Sequence, residues 1–118
     1  MALNDAMLTV MANSANTAWT HLQLHNGAPG AGYTTNVVGT RAATTGNSVD
    51  ADGDITKVGN WTGLTANQPV THVSYWNQLA TGGTNYGGSA LNTGGTNDTA
   101  ANAAGEFQLT VVENGTAV

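Results

Sequence analysis

Between residues 70 and 91 the chain runs Val-Thr-His-Val-Ser-Tyr-Trp, turns at Thr81-Gly82-Gly83, and returns through Asn85-Tyr86-Gly87-Gly88 toward Leu91. A β-branched and aromatic run, a glycine turn and a second short aromatic run predict an antiparallel hairpin. Side chains alternate across a strand, so Val73 and Tyr75 share one face while Val70 and Trp76 share the other. A strand that is apolar on both faces needs cover on both sides: one face belongs in a core, the other beneath a loop or a neighbouring subunit. The segment holds no carboxylate, no cysteine and one histidine, His72, which directs it to packing or assembly rather than catalysis.

The rest of the chain supplies partners of the same kind. Thr17 to His25 alternates with period two, Ala18, Thr20, Leu22 and Leu24 against Trp19, His21, Gln23 and His25, which predicts a strand. Asn26-Gly27 and Pro29-Gly30 then mark turns. Residues 31–47 read as a loop with one edge strand around Val37 and Val38, and Asp52-Gly53 signals a two-residue hairpin within residues 49–58. Residues 91–105 read as an exposed loop before a closing strand that alternates Phe107, Leu109 and Val111 with polar neighbours. Ahead of these strands, Leu3, Met7, Val10 and Met11 recur at helical spacing with Asn4 and Asp5 at the start, predicting a short helix over residues 4–12. That helix reads as an apolar plug on the end of a sandwich, or as an arm for a neighbouring subunit. The fold expected is all-β: one domain over residues 1–118, an antiparallel, jelly-roll-like β-sandwich, with residues 1–16 as N-terminal helix and arm.

Charge narrows the functions open to such a domain. Only 8% of residues are Asp, Glu, Lys or Arg, against about 25% in soluble domains generally. Polarity comes instead from 19 Thr and 14 Asn, residues suited to strands and turns. Arg41 and Lys57 are the only Lys or Arg residues and the net charge is −5, so neither a phosphate backbone nor an anionic lipid surface finds a cationic partner. No run approaches a membrane span, and the first residues lack the basic start and apolar core of a signal peptide. With no cysteine there are no disulfides or thiolate sites, and oligomerisation is the expected source of extra stability.

No constellation of catalytic residues emerges. Asp50, Asp52 and Asp54 alternate as calcium ligands do, but the sixth and twelfth positions of an EF-hand loop hold Ile55 and Trp61 instead of Gly and Glu. The three aspartates therefore read as a solvated turn. On a strand, His21 and His25 stand roughly 13 Å apart, too far to share an ion. Ser14, Ser48, Ser74 and Ser89 lack a nucleophile-elbow motif, and Glu106 and Glu113 face opposite ways on the closing strand. Neither an enzyme nor a cofactor is expected. Trp19, Trp61, Tyr33 and Tyr86 are available as stacking platforms for a sugar, which keeps a lectin-like adhesin as the alternative.

Three blocks carry a resemblance: His21-Leu22-Gln23-Leu24-His25-Asn26-Gly27-Ala28-Pro29-Gly30, Thr71-His72-Val73-Ser74-Tyr75-Trp76, and Ala80-Thr81-Gly82-Gly83-Thr84 running on to Leu91. Together with the opening Ala2-Leu3-Asn4-Asp5, they resemble the small structural proteins of actinobacterial siphophages that are usually labelled tail fibre or minor tail protein. Those proteins have a Leu-His-Thr-Gly-Asp-Pro-Gly-like turn, a Val-Thr-His strand ending in Trp and an Ala-Thr-Gly-Gly-Thr hairpin. Ala28 departs from the pattern by replacing an acidic residue, and the Asp50 to Asp54 insert is more acidic than the pattern. The resemblance implies a virion-surface subunit, made in the host cytoplasm, that decorates a capsid or forms a tail appendage. Its expected partners are copies of itself, most simply as a trimer, and a major capsid or tail protein. The expected contact residues are Tyr75, Trp76, Tyr86, Leu3 and Met7.

Overall fold

The computed structural model describes residues 4–51, 53–78, 82–91 and 100–113. One helix, α1 (Asp5–Ala18), precedes seven strands: β1 (His21–His25), β2 (Val37–Ala43), β3 (Thr45–Val49), β4 (Ile55–Trp61), β5 (His72–Trp76), β6 (Asn85–Ala90) and β7 (Phe107–Glu113). They form two antiparallel sheets, a four-stranded one in the order β2-β1-β5-β6 and a three-stranded one in the order β3-β4-β7. This is the arrangement of a β-sandwich, and its core is where the two inner faces meet. Leu22, Leu24, Val38, Val73 and Tyr75 from the larger sheet pack with Ile55, Trp61, Phe107, Leu109 and Val111 from the smaller.

Period two explains most of the smaller sheet. In β4, Ile55, Lys57, Gly59 and Trp61 all point inward, and in β7 Phe107, Leu109 and Val111 do the same. The register sets Trp61 opposite Phe107, whose rings lie 6.0 Å apart. Gly59 faces the core with no room for a side chain. A Cβ built there would fall 2.5 Å from the Trp61 ring and 3.0 Å from Leu22, so the missing side chain lets Trp61 fold across its own strand. The Trp61 indole N–H then donates to the Thr40 carbonyl of β2 at 3.0 Å, tying the two sheets at one corner.

The hairpin of β5 and β6 forms as its sequence predicts, and β7 closes the smaller sheet. Other boundaries differ from expectation for identifiable reasons. The helix runs to Ala18 instead of ending near residue 12. The Asn4 side chain caps its first turn through the Met7 N–H at 3.0 Å, and the Thr17 hydroxyl bonds back to the Ser14 carbonyl at 2.9 Å. Burial of Leu8 and Ala12 against the sandwich holds the polar Asn13 to Thr17 stretch helical. The first strand is correspondingly shorter and starts at His21.

The segment expected to hold a single edge strand supplies two. β2 edges the larger sheet, and after Thr44 the chain crosses to the smaller sheet as β3. The connection from β3 to β4 has five residues, 50–54, rather than two. The Asp50 and Asp54 backbones pair through an N–H to O bond of 3.0 Å, the Gly53 N–H returns to the Asp50 carbonyl at 3.1 Å, and Gly53 has φ +81°. This is the pattern of a tight turn followed by a left-handed glycine.

Gly59→Ala is expected to cost about 1–3 kcal/mol, the usual range for overpacking a core. Urea denaturation would measure it; an unchanged midpoint would mean the sheets are not in contact through Gly59.

Candidate functional site

Both cations of the chain are inside it. Lys57 occupies a core-facing position of β4 and is fully buried. Its Nζ donates to the Asn16 carbonyl at 2.7 Å and to the Trp19 carbonyl, and lies 4.2 Å from the centroid of the Trp19 ring. These carbonyls are at the C-terminal end of α1, where unpaired oxygens and the helix dipole favour a positive charge. Burial still penalises the ammonium and lowers its pKa to about 8. Trp19 stacks in turn on Tyr75 with ring centroids 4.6 Å apart, and the Tyr75 hydroxyl donates to Glu113 at the end of β7. Burial first, and the Glu113 hydrogen bond second, push the Tyr75 pKa up.

Arg41 is the counterpart on the larger sheet. Leu22 pairs with Ala42 and Leu24 with Val38, so β2 bulges between these points, with Gly39 at φ +65°. The bulge places Arg41 on the outer face. Its guanidinium carbon lies 3.8 Å from the centroid of the Trp76 ring, and Nη1 donates to the Gln78 and Gly82 carbonyls at 3.1 and 2.8 Å. Gln23 stabilises the bulge by donating from Nε2 to the Val38 and Gly39 carbonyls.

Beside Arg41, the outer face of the larger sheet is a buried polar layer. His25 and Ser74 are both fully buried. The Thr35 carbonyl, 2.9 Å from His25 Nδ1, can only accept, so that nitrogen carries the proton. His25 Nε2 then accepts from the Ser74 hydroxyl at 2.7 Å, and the Trp76 indole N–H donates to Ser74 Oγ at 2.7 Å. A serine paired with histidine invites comparison with a nucleophile and its base. Here the Ser74 oxygen is sealed from solvent and already takes part in two hydrogen bonds, which suits it to holding the loop over residues 26–36 onto the sheet. Burial lowers the His25 pKa, in keeping with a neutral ring. Forty-nine positions separate the pair, so no local motif announces it.

The predicted contact residues divide. Tyr75 and Trp76 are buried within their own chain and so do not offer the contact surface expected of them: Tyr75 packs in the core and Trp76 lies beneath Arg41. Tyr86 and Met7 are each 46% exposed, and Leu3 lies outside the described residues. Two residues the sequence had not marked as contacts, Val10 and Met11, are 60% and 52% exposed and continue the apolar row that Met7 starts along α1. Met11 and Tyr86 border a groove of about 340 Å³ between α1 and the sandwich, with Trp19, Ile55, Tyr75 and Glu113 in its walls. Of the four sugar platforms, Trp19 and Trp61 are buried, while Tyr33 and Tyr86 stay accessible.

Among the described residues no group of three or more His, Asp or Glu is placed to hold a metal ion. Asp50 and Asp54 flank the β3–β4 turn, where Asp50 Oδ1 accepts the Asp54 N–H at 2.9 Å; Asp52 lies outside the described residues. No described helix is long and apolar enough to cross a membrane. Comparison with protein-family models, with curated proteins and with solved structures finds no match to the chain.

Lys57 makes stability depend on pH in a specific direction. Below about pH 8 it is charged in both folded and unfolded chains. Between about 8 and its ordinary value of 10.5 the unfolded chain keeps a proton that the folded chain has lost, so stability rises with pH. The gain expected from pH 7.5 to 9.5 is about 1–2 kcal/mol, measurable by urea unfolding, and it should vanish in Lys57→Met. Above pH 10 the sign reverses, because Tyr75 ionises more readily unfolded than folded. A flat profile in the unsubstituted protein would show that Lys57 is solvated.

Proposed function

We propose that the chain is a phage virion structural protein, a surface subunit that decorates a capsid or builds a tail appendage. In this reading it assembles symmetrically with copies of itself, most simply as a trimer, and docks on a major capsid or tail protein. Its role is structural rather than catalytic, its site of action is the virion surface, and its sandwich is of the jelly-roll-like kind. The observation that carries the proposal is the exposed row Met7, Val10 and Met11 on α1, beside a groove bordered by Met11 and Tyr86. A row of large apolar side chains left in water on a packed helix marks a contact surface. The order of the three sequence blocks supports the viral assignment.

The location of the cations says what kind of contact is available. With Arg41 and Lys57 buried, identical copies have no exposed Lys or Arg with which to bridge one another's carboxylates. Self-association would rest on apolar contact and neutral hydrogen bonds, against repulsion between like-charged subunits. The rival adhesin reading, built on a broad aromatic platform, is weakened by the burial of Trp19 and Trp61.

Sedimentation of the full chain is expected to give a trimer that tightens as salt screens the repulsion. Met7→Asp with Met11→Asp should release monomers whose circular dichroism is unchanged, since both side chains are about half exposed. Antibody to the chain should label intact virions. A strict monomer at high concentration in moderate salt would overturn the self-assembly reading.

A further inference from the structure

All seven acids are confined to residues 5, 50–54, 98, 106 and 113, so residues 6–49 and 55–97 contain none. Every strand of the larger sheet falls within those two acid-free stretches. That sheet carries Arg41 and all three histidines, His21, His25 and His72. The described acids belong instead to α1, the β3–β4 turn and the ends of β7. Among the described residues, the outer face of the larger sheet thus has one fixed cation and no carboxylate.

On that face is a cavity of about 430 Å³, within the range of small-ligand sites. It spans the sheet from Arg41 on β2, past Gln23 and Trp76, to Asn85 on β6, and Tyr33 and Thr34 of the 26–36 loop form its far wall. Arg41 is 8% exposed, and Nη1 is bound to two carbonyls while one planar face lies on Trp76. Its Nη2 and Nε have no hydrogen-bond partner among the described residues. A guanidinium has five N–H donors in a rigid fork, and the remaining edge matches a carboxylate. The half-buried Tyr33 also lines the cavity, and Gln23, Asn85 and Thr34 add neutral amide and hydroxyl groups. One oriented cation, an aromatic face and several neutral hydrogen-bonding groups suit a polyhydroxylated ring that bears a single carboxylate.

We infer that this pocket is a binding site for an acidic sugar of the uronic-acid class, with Arg41 holding the carboxylate and Tyr33 stacking on the ring. The site is separate from the α1 groove and does not depend on self-assembly. Arg41 is the binding residue. The β2 bulge, with Gly39 and Gln23, positions it.

The test is an NMR titration of the full-length ¹⁵N-labelled chain with D-glucuronate, alongside D-glucose and acetate. Glucuronate should shift the Arg41 Nε–H and Trp76 Nε1–H signals saturably. Glucose, lacking the carboxylate, and acetate, lacking the ring, should each bind at least about tenfold more weakly, the scale of one charge-assisted hydrogen bond. Arg41→Lys keeps the charge but loses the fork, and should weaken glucuronate binding by a similar factor. Because Arg41 also secures the turn at Gln78 and Gly82, Tyr33→Ala is the second variant; it removes the stacking face together with a contact on Gly88, and should weaken binding while the circular dichroism spectrum of the folded chain is kept. Absence of saturable shifts, equal binding of glucose or acetate, or unaltered affinity in Tyr33→Ala would overturn the assignment. Subunit mass, read separately, reports on the assembly proposal alone.

Discussion

The bond between Lys57 and the end of α1 organises the inner half of the molecule. A buried ammonium is costly, and here the cost is met by carbonyl oxygens and an aromatic face instead of a carboxylate. The helix must therefore end where Asn16 and Trp19 can reach β4. That requirement brings Trp19 down onto Tyr75 and, through Tyr75, ties the larger sheet to Glu113 at the end of β7. One interaction thus joins helix, both sheets and the last described strand. It leaves a residual cost at Asn16, whose side-chain oxygen is buried without a hydrogen-bond partner.

Arg41 repeats the device on the outer face, with an aromatic ring beneath the cation and backbone carbonyls at its edge. Drawing both cations inward has an outward consequence: the surface presents carboxylates, neutral Thr and Asn groups and a few large apolar side chains. This is a poor surface for nucleic acid or anionic lipid. The bulges in β2 and β6 serve the same division. One turns Arg41 toward the outer pocket; the other, at Tyr86 and Gly87 where the pairing of Ser74 with Gly88 gives way to that of Trp76 with Asn85, leaves Tyr86 at the α1 groove.

Much of the strand content was legible because period two is a local signal. The β5–β6 hairpin, the β3–β4 turn, β1 and β7 all follow from alternation and glycine placement. The requirement that β5 be covered on both faces was also legible, though only the structure identifies Arg41 of β2 as the cover over Trp76. Less legible were the end of α1, where packing overrides the weak helical preference of Asn13 to Thr17, and β3, whose Thr45-Gly46-Asn47-Ser48 is hardly strand-forming and is held by pairing with β4. The Lys57 role had a signal that went unused: with Ile55, Gly59 and Trp61 it shares one face of an alternating run. The Ser74–His25 pair had none, since its members meet only through strand register.

By itself the sequence determined the class of fold and the poverty of charge, because alternation, turn residues and composition are properties of short stretches. It also determined that acids and histidines occupy different stretches of chain. Tertiary structure alone decided that all three histidines and Arg41 gather on one sheet, that both cations are buried, and that Tyr75 and Trp76 are covered by their own chain. The reason is physical: burial, pairing register and cavity shape depend on which distant segments pack together, and no local pattern encodes which neighbour covers a given face.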